Sequence, residues 1–76
     1  MKLRAEFYEN DGKPFMVEGN HATKSDLTEF PDHLYIPCRK GGMFITYKFA
    51  RLAVSTDGQV ALYALLKVRE WERRIV

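Results

Sequence analysis

The chain has 76 residues, 46% of them hydrophobic and 29% charged, a composition that supports one folded domain and excludes a disordered or low-complexity chain. Twelve basic and ten acidic side chains leave a formal charge of +2, too weak a bias for holding nucleic acid by overall charge, so only local cation clusters matter. The single cysteine excludes an intramolecular disulfide. The charged alternation after Met1 is no signal peptide, and the longest apolar stretch, residues 60–66, falls far short of the roughly 20 residues of a membrane span. A cytoplasmic protein that does not enter a membrane is therefore expected, in the host cytoplasm if the chain is viral. A domain of this size buries only ~60% of its unfolded surface, so self-association into a homodimer is expected to support it.

From the N-terminus, residues 2–8 alternate Leu3, Ala5 and Phe7 with Lys2, Arg4 and Glu6, the pattern of a half-buried strand. Asn10-Asp11-Gly12 breaks it. Residues 14–18 return with Phe15 and Val17 on one side, so a hairpin is expected, with Pro14 at the strand start where a missing N–H does least harm. Residues 19–32 are polar. Within them Thr23 or Ser25 is placed to cap a short helix near residues 25–30, through Asp26, Leu27, Thr28 and Glu29, that Pro31 ends. Residues 33–38 resume a strand with Leu34 and Ile36 inward, and Arg39-Lys40-Gly41-Gly42 forms the next turn.

Two apolar runs, residues 43–54 and 60–69, flank Ser55-Thr56-Asp57-Gly58 and predict a long hairpin, with Gly58 supplying a positive φ. The pairing that keeps one face apolar sets Val54 opposite Gln59. It puts Ile45, Tyr47, Phe49 and Ala53 opposite Val68, Leu66, Ala64 and Val60, with Arg51 as the interruption. The other face then carries Thr46, Lys48 and Ala50 opposite Lys67, Leu65 and Tyr63. A one-residue slip would set Tyr47 and Ile45 opposite Lys67 and Arg69 on the core side. A helix is the rival for the last segment, since Ala61, Ala64, Leu65, Val68, Trp71 and Ile75 fall at helical spacing. The turn glycine and the even-numbered stripe Val60, Leu62, Ala64, Leu66, Val68 favour a strand for residues 59–69, and residues 71–76 stay ambiguous. The expected fold is a single, mostly β domain over residues 1–76, of the small α+β kind. It is an antiparallel sheet of about five strands dominated by the hairpin 43–69, with one short helix near 25–30. Its consecutive strands leave residues 2–8 or the last strand as an open edge, a template for another chain.

Chemistry is sparse. The basic turn Cys38-Arg39-Lys40-Gly41-Gly42 offers amides and cations to a phosphate, but it lacks the spacing of any phosphate loop and precedes a strand, so an ordinary hairpin turn is the better reading. His21, His33 and Cys38, with Asp26, Glu29 and Asp32 nearby, match no zinc spacing, and nothing orients Cys38 with a histidine as nucleophile and base. No metal, no cofactor and no catalysis are expected. Cations interleaved with rings, Arg39, Lys40, Lys48, Tyr63, Lys67 and Arg69, form the alternative constellation, a surface for nucleic acid or a nucleotide. The terminal segment sets Trp71 and Ile75 among Arg69, Arg73 and Arg74, and these residue types are enriched at protein-binding hot spots. Trp71 either closes the core or belongs to an interface. The primary expectation is a non-enzymatic regulator acting by stoichiometric protein binding, in the manner of a phage or mobile-element accessory inhibitor of a host or defence protein.

Overall fold

The computed structural model describes residues 2–66, without the side chains of Lys40 and Met43. Seven strands follow in order: β1 (Leu3–Tyr8), β2 (Met16–Val17), β3 (Asn20–His21), β4 (Thr23–Leu27), β5 (His33–Lys40), β6 (Met43–Val54) and β7 (Val60–Leu65). Five of them make one curled sheet in the order β4-β1-β7-β6-β5, while β2 and β3 form a separate two-stranded ribbon. The domain is mostly β, as its alternations imply. The sheet is mixed, however, because β1 runs parallel to β7 and the other neighbours are antiparallel. This corrects the expectation of consecutive antiparallel strands. β7 is apolar at every position, VALYAL, and a strand of that kind is best covered with a neighbour on each side. It inserts between β1 and β6, so the outer edges belong to β4 and β5 rather than to residues 2–8 or the last strand.

The helix expected near residues 25–30 is also corrected, since no helix occurs among the described residues. One turn of helix carries the full cost of nucleation with almost no propagation to offset it. The alternative open to Thr23–Leu27 is pairing with β1, where Leu27 lies opposite Leu3 and Thr23 opposite Glu6. That ladder satisfies the backbone of both strands.

The hairpin of β6 and β7 is differently registered from the expectation, and the part expected over residues 67–69 lies outside the described residues. Val54 lies opposite Ala61, Ala53 opposite Leu62, Arg51 opposite Tyr63 and Phe49 opposite Leu65, with an extra residue, Leu52, interrupting the ladder. Two local causes are visible. The Ser55 N–H donates to the Val60 carbonyl (2.7 Å), and the Asp57 carboxylate accepts from the Ser55 hydroxyl (2.6 Å) and the Gln59 N–H (3.1 Å). Gln59 is thereby drawn into the loop. The extra residue at Leu52 then reverses which side of β7 meets Phe49, because an odd insertion changes the parity of facing side chains. Ala61 and Tyr63 point into the core, and the even-numbered stripe assigned there turns outward, leaving Leu62 37% exposed.

Among the described residues the core is formed by Ala5, Phe7, Phe15, Ala22, Leu34, Phe49, Ala61 and Tyr63. Phe7 and Phe49 meet edge to face with centroids 4.7 Å apart, and Phe15 meets Phe49 and Tyr47 in the same way at 5.0 Å, geometry that adds to the area buried. The Arg51 interruption is placed at the rim. Its guanidinium donates to the Phe30 carbonyl and reaches the Asp32 carboxylate at 3.1 Å, while its N–H bonds the Asp32 carbonyl.

The ribbon turns through Glu18-Gly19, both at positive φ (52° and 82°), the two-residue turn whose twist suits paired strands. A glutamate there costs about 1–2 kcal/mol of left-handed strain. Glu18→Asn is expected to stabilise the chain by roughly 0.5–1 kcal/mol, seen as a higher urea midpoint at constant slope.

Candidate binding surface

Alternation along the strands sends one set of side chains into the core and the other to the outer face of the sheet. On β5, Leu34 is buried and Ile36 packs against the core, so His33, Tyr35, Pro37 and Arg39 face out. On β6 the inward Phe49 and Tyr47 leave Phe44, Thr46 and Lys48 outward. The ladder joins these in pairs: Tyr35 with Lys48, Pro37 with Thr46, and Arg39 with Phe44. In two of the pairs the cation lies over its neighbour's ring. Lys48 Nζ is 5.9 Å from the Tyr35 centroid and Arg39 Cζ is 5.6 Å from that of Phe44, within reach of a cation–π attraction. Tyr35 is 55% exposed and Phe44 38%. Gly41 and Gly42, at positive φ (59° and 81°), close this hairpin as a two-residue turn.

The other end of the outer face is apolar. Leu52, Leu62, Ala64 and Tyr8 line a groove of about 610 Å³ walled by Glu9, Asn10 and Gly12. The wall stands because the Glu9 N–H donates to the Lys13 carbonyl (2.7 Å) and the Gly12 N–H to that of Glu9 (2.9 Å). Leu52, the extra residue of β6, is 66% exposed. Beside it the polar atoms satisfy one another: the Tyr8 hydroxyl donates to Glu6 (3.0 Å), and Glu6 pairs with Arg4 (2.8 Å). That bond to a carboxylate holds the Tyr8 phenol above its usual pKa of 10.0. A second cavity, about 480 Å³, lies among Phe15, Val17, Cys38, Tyr47 and Leu65, with Glu9, Glu18 and Arg39 at its rim.

No protein-family model, curated protein or solved structure matches this chain. Its surfaces therefore have to be read from their own chemistry.

Of the residues named for nucleic acid, Arg39 and Lys48 share the outer face of the β5–β6 hairpin. Tyr63 is corrected: it is wholly buried, and its hydroxyl donates to the Pro31 carbonyl at 2.6 Å. The parity change at Leu52 turned it inward. The Lys40 side chain, together with Lys67 and Arg69, lies outside the described residues, as do Trp71, Arg73, Arg74 and Ile75 of the partner-binding set. Among the described residues no three His, Cys, Asp or Glu side chains converge on a metal position, and no helix is long and apolar enough to cross a membrane. Sequence reasoning did not single out Tyr35, Phe44 or Leu52. For Tyr35 the signal was present, since an inward Leu34 and Ile36 send it out.

Proposed function

We propose that this chain is a non-enzymatic regulator that binds another protein stoichiometrically, seating an apolar side chain of its partner in the groove between Leu52, Leu62 and the turn at residues 9–13. The observation that carries the reading is Leu52, held outside the ladder and largely in water beside the apolar side chains of Leu62 and Ala64. Glu9 at the rim favours a partner segment that sets a basic residue next to its apolar anchor. Blocking a host or defence protein, as an accessory inhibitor does, requires no more than such occupancy.

The test compares the tagged parent chain with Leu52→Glu in capture from nuclease-treated lysate, followed by reconstitution with the purified captured protein. Burying one leucine at an interface is worth about 1.5–3 kcal/mol, so Leu52→Glu is expected to weaken a one-to-one complex by roughly tenfold to a hundredfold. Equal affinity for parent and variant would remove this groove from the interface. Sedimentation of the same two proteins reads the homodimer: dimerisation through this groove requires the parent to associate and Leu52→Glu to remain monomeric.

A further inference from the structure

We infer that the outer face of the β5–β6 hairpin is a platform for single-stranded nucleic acid, on which Tyr35 and Phe44 stack against bases and Arg39 and Lys48 meet phosphates. This goes beyond the proposed protein-binding role and uses the opposite end of the sheet face.

Charge is the first argument. Between Asp32 and Asp57 the sequence contains no carboxylate, while Arg39, Lys40, Lys48 and Arg51 fall in that interval. Three other cations pair with an acid two positions away: Arg4 with Glu6 (2.8 Å), Lys24 with Asp26 (3.4 Å) and Lys13 with Asp11 (3.9 Å). Arg51 is taken up by Asp32 (3.1 Å). A face kept basic only for solubility would be expected to carry the same compensating acids. β5 and β6 contain none; Glu9 and Glu18 share a cavity rim with Arg39, but neither Arg39 nor Lys48 is within ion-pair distance of a described carboxylate, so both cations remain available to an anionic ligand.

Ring exposure is the second argument, and it is independent of charge. Tyr35 and Phe44 are among the largest exposed apolar side chains described, and each lies beside a cation across the ladder. Four residues of strand separate the two ring positions, about 13 Å at the usual rise. That is roughly four times the 3.4 Å step of a stacked strand, so the rings suit bases splayed from an extended chain rather than the closed edge of a duplex. Pro37 and Thr46, the pair between them, are short side chains. Exposed rings flanked by cations on a β-surface are the arrangement that binds single strands with little sequence preference.

The experiment is fluorescence anisotropy with labelled oligothymidylate and oligouridylate of about twelve nucleotides, against a duplex of equal length and a polyglutamate competitor. Both single strands are expected to bind more tightly than duplex. With two phosphate contacts, affinity should fall roughly sevenfold between about 50 and 200 mM salt. Tyr35→Ala and Phe44→Ala are each expected to weaken binding by about fivefold or more, and Lys48→Glu to weaken it and flatten the salt slope. These side chains are exposed, so an unchanged circular dichroism spectrum and melting temperature keep the comparison sound. Leu52→Glu should bind oligonucleotide as the parent does, which separates this site from the apolar groove. The inference is overturned if neither oligonucleotide binds, if duplex binds equally well, or if the double variant Tyr35→Ala/Phe44→Ala binds like the parent. Binding of polyglutamate alone, lost in Lys48→Glu, would overturn it in favour of an acidic protein partner.

Discussion

Tyr63→Ala is expected to remove a large share of the domain's stability. Tyr63 has no exposed surface, its ring lies 5.7 Å from that of Phe7, and it stands on β7, the strand that joins β1 to β6. Removing a buried aromatic ring costs about 3–5 kcal/mol, and a chain of 76 residues holds only about 4–11 kcal/mol at the usual stability per residue. A much lower urea midpoint by circular dichroism is the expected result; a midpoint near that of the parent would show that the core closes around the gap. Tyr63→Phe keeps the ring and removes the donor to the Pro31 carbonyl, at a cost of about 1–3 kcal/mol because the acceptor stays behind. The same hydroxyl sets a pH dependence. Burial holds the Tyr63 phenol above 10.0 in the fold, so above pH 10 the unfolded chain releases a proton that the folded chain retains. The stability this represents is fully present below pH 10 and is lost as pH rises through the raised value. Tyr8, raised through its bond to Glu6, adds a loss of the same sign. Tyr63→Phe should therefore show a smaller fall in urea midpoint between pH 9 and pH 11 than the parent.

The elements readable from sequence were those decided by neighbours along the chain. Alternation alone identifies Leu3, Ala5 and Phe7, or Leu34 and Ile36, as inward sets, and the glycines at 41, 42 and 58 mark turns. What escaped depended on distant contacts. A strand at Thr23–Leu27 exists because β1 offers it a ladder, and nothing within those five residues announces that partner. The position of β7 between β1 and β6 follows from its covering of both neighbours, whereas local reasoning placed consecutive strands side by side. Leu52 had the largest consequence. One unpaired residue, invisible in a pattern already apolar at most positions, exchanged the two faces of β7, buried Tyr63 and exposed Leu62. The candidate surfaces divide in the same way. Arg39 and Lys48 reach a common face by alternation, but the apolar groove needs both that extra residue and the turn at residues 9–13 folded beside it.

Phe15→Ala is expected to detach the β2–β3 ribbon before the sheet itself fails. The ribbon is a separate two-stranded sheet, and a ladder of that size is not stable by itself. Phe15 fixes it to the rest. Its ring meets Phe49 and Tyr47, each at 5.0 Å, its N–H donates to the Phe7 carbonyl, and its carbonyl accepts from the Ala22 N–H, each at 2.9 Å. Truncation removes about 3–5 kcal/mol of packing and enlarges the neighbouring 480 Å³ cavity. Part of that loss is avoided if the ribbon opens, because the opened residues recover chain entropy and carry little apolar surface of their own. Native-state hydrogen exchange separates the outcomes. Opening of the ribbon predicts fast exchange at the Phe15 and Ala22 amides, with protection kept at Arg51, whose N–H bonds the Asp32 carbonyl within the main sheet. Equal acceleration at all three amides would instead mean that ribbon and sheet unfold as one unit, and that Phe15 is as central to the domain as Phe49.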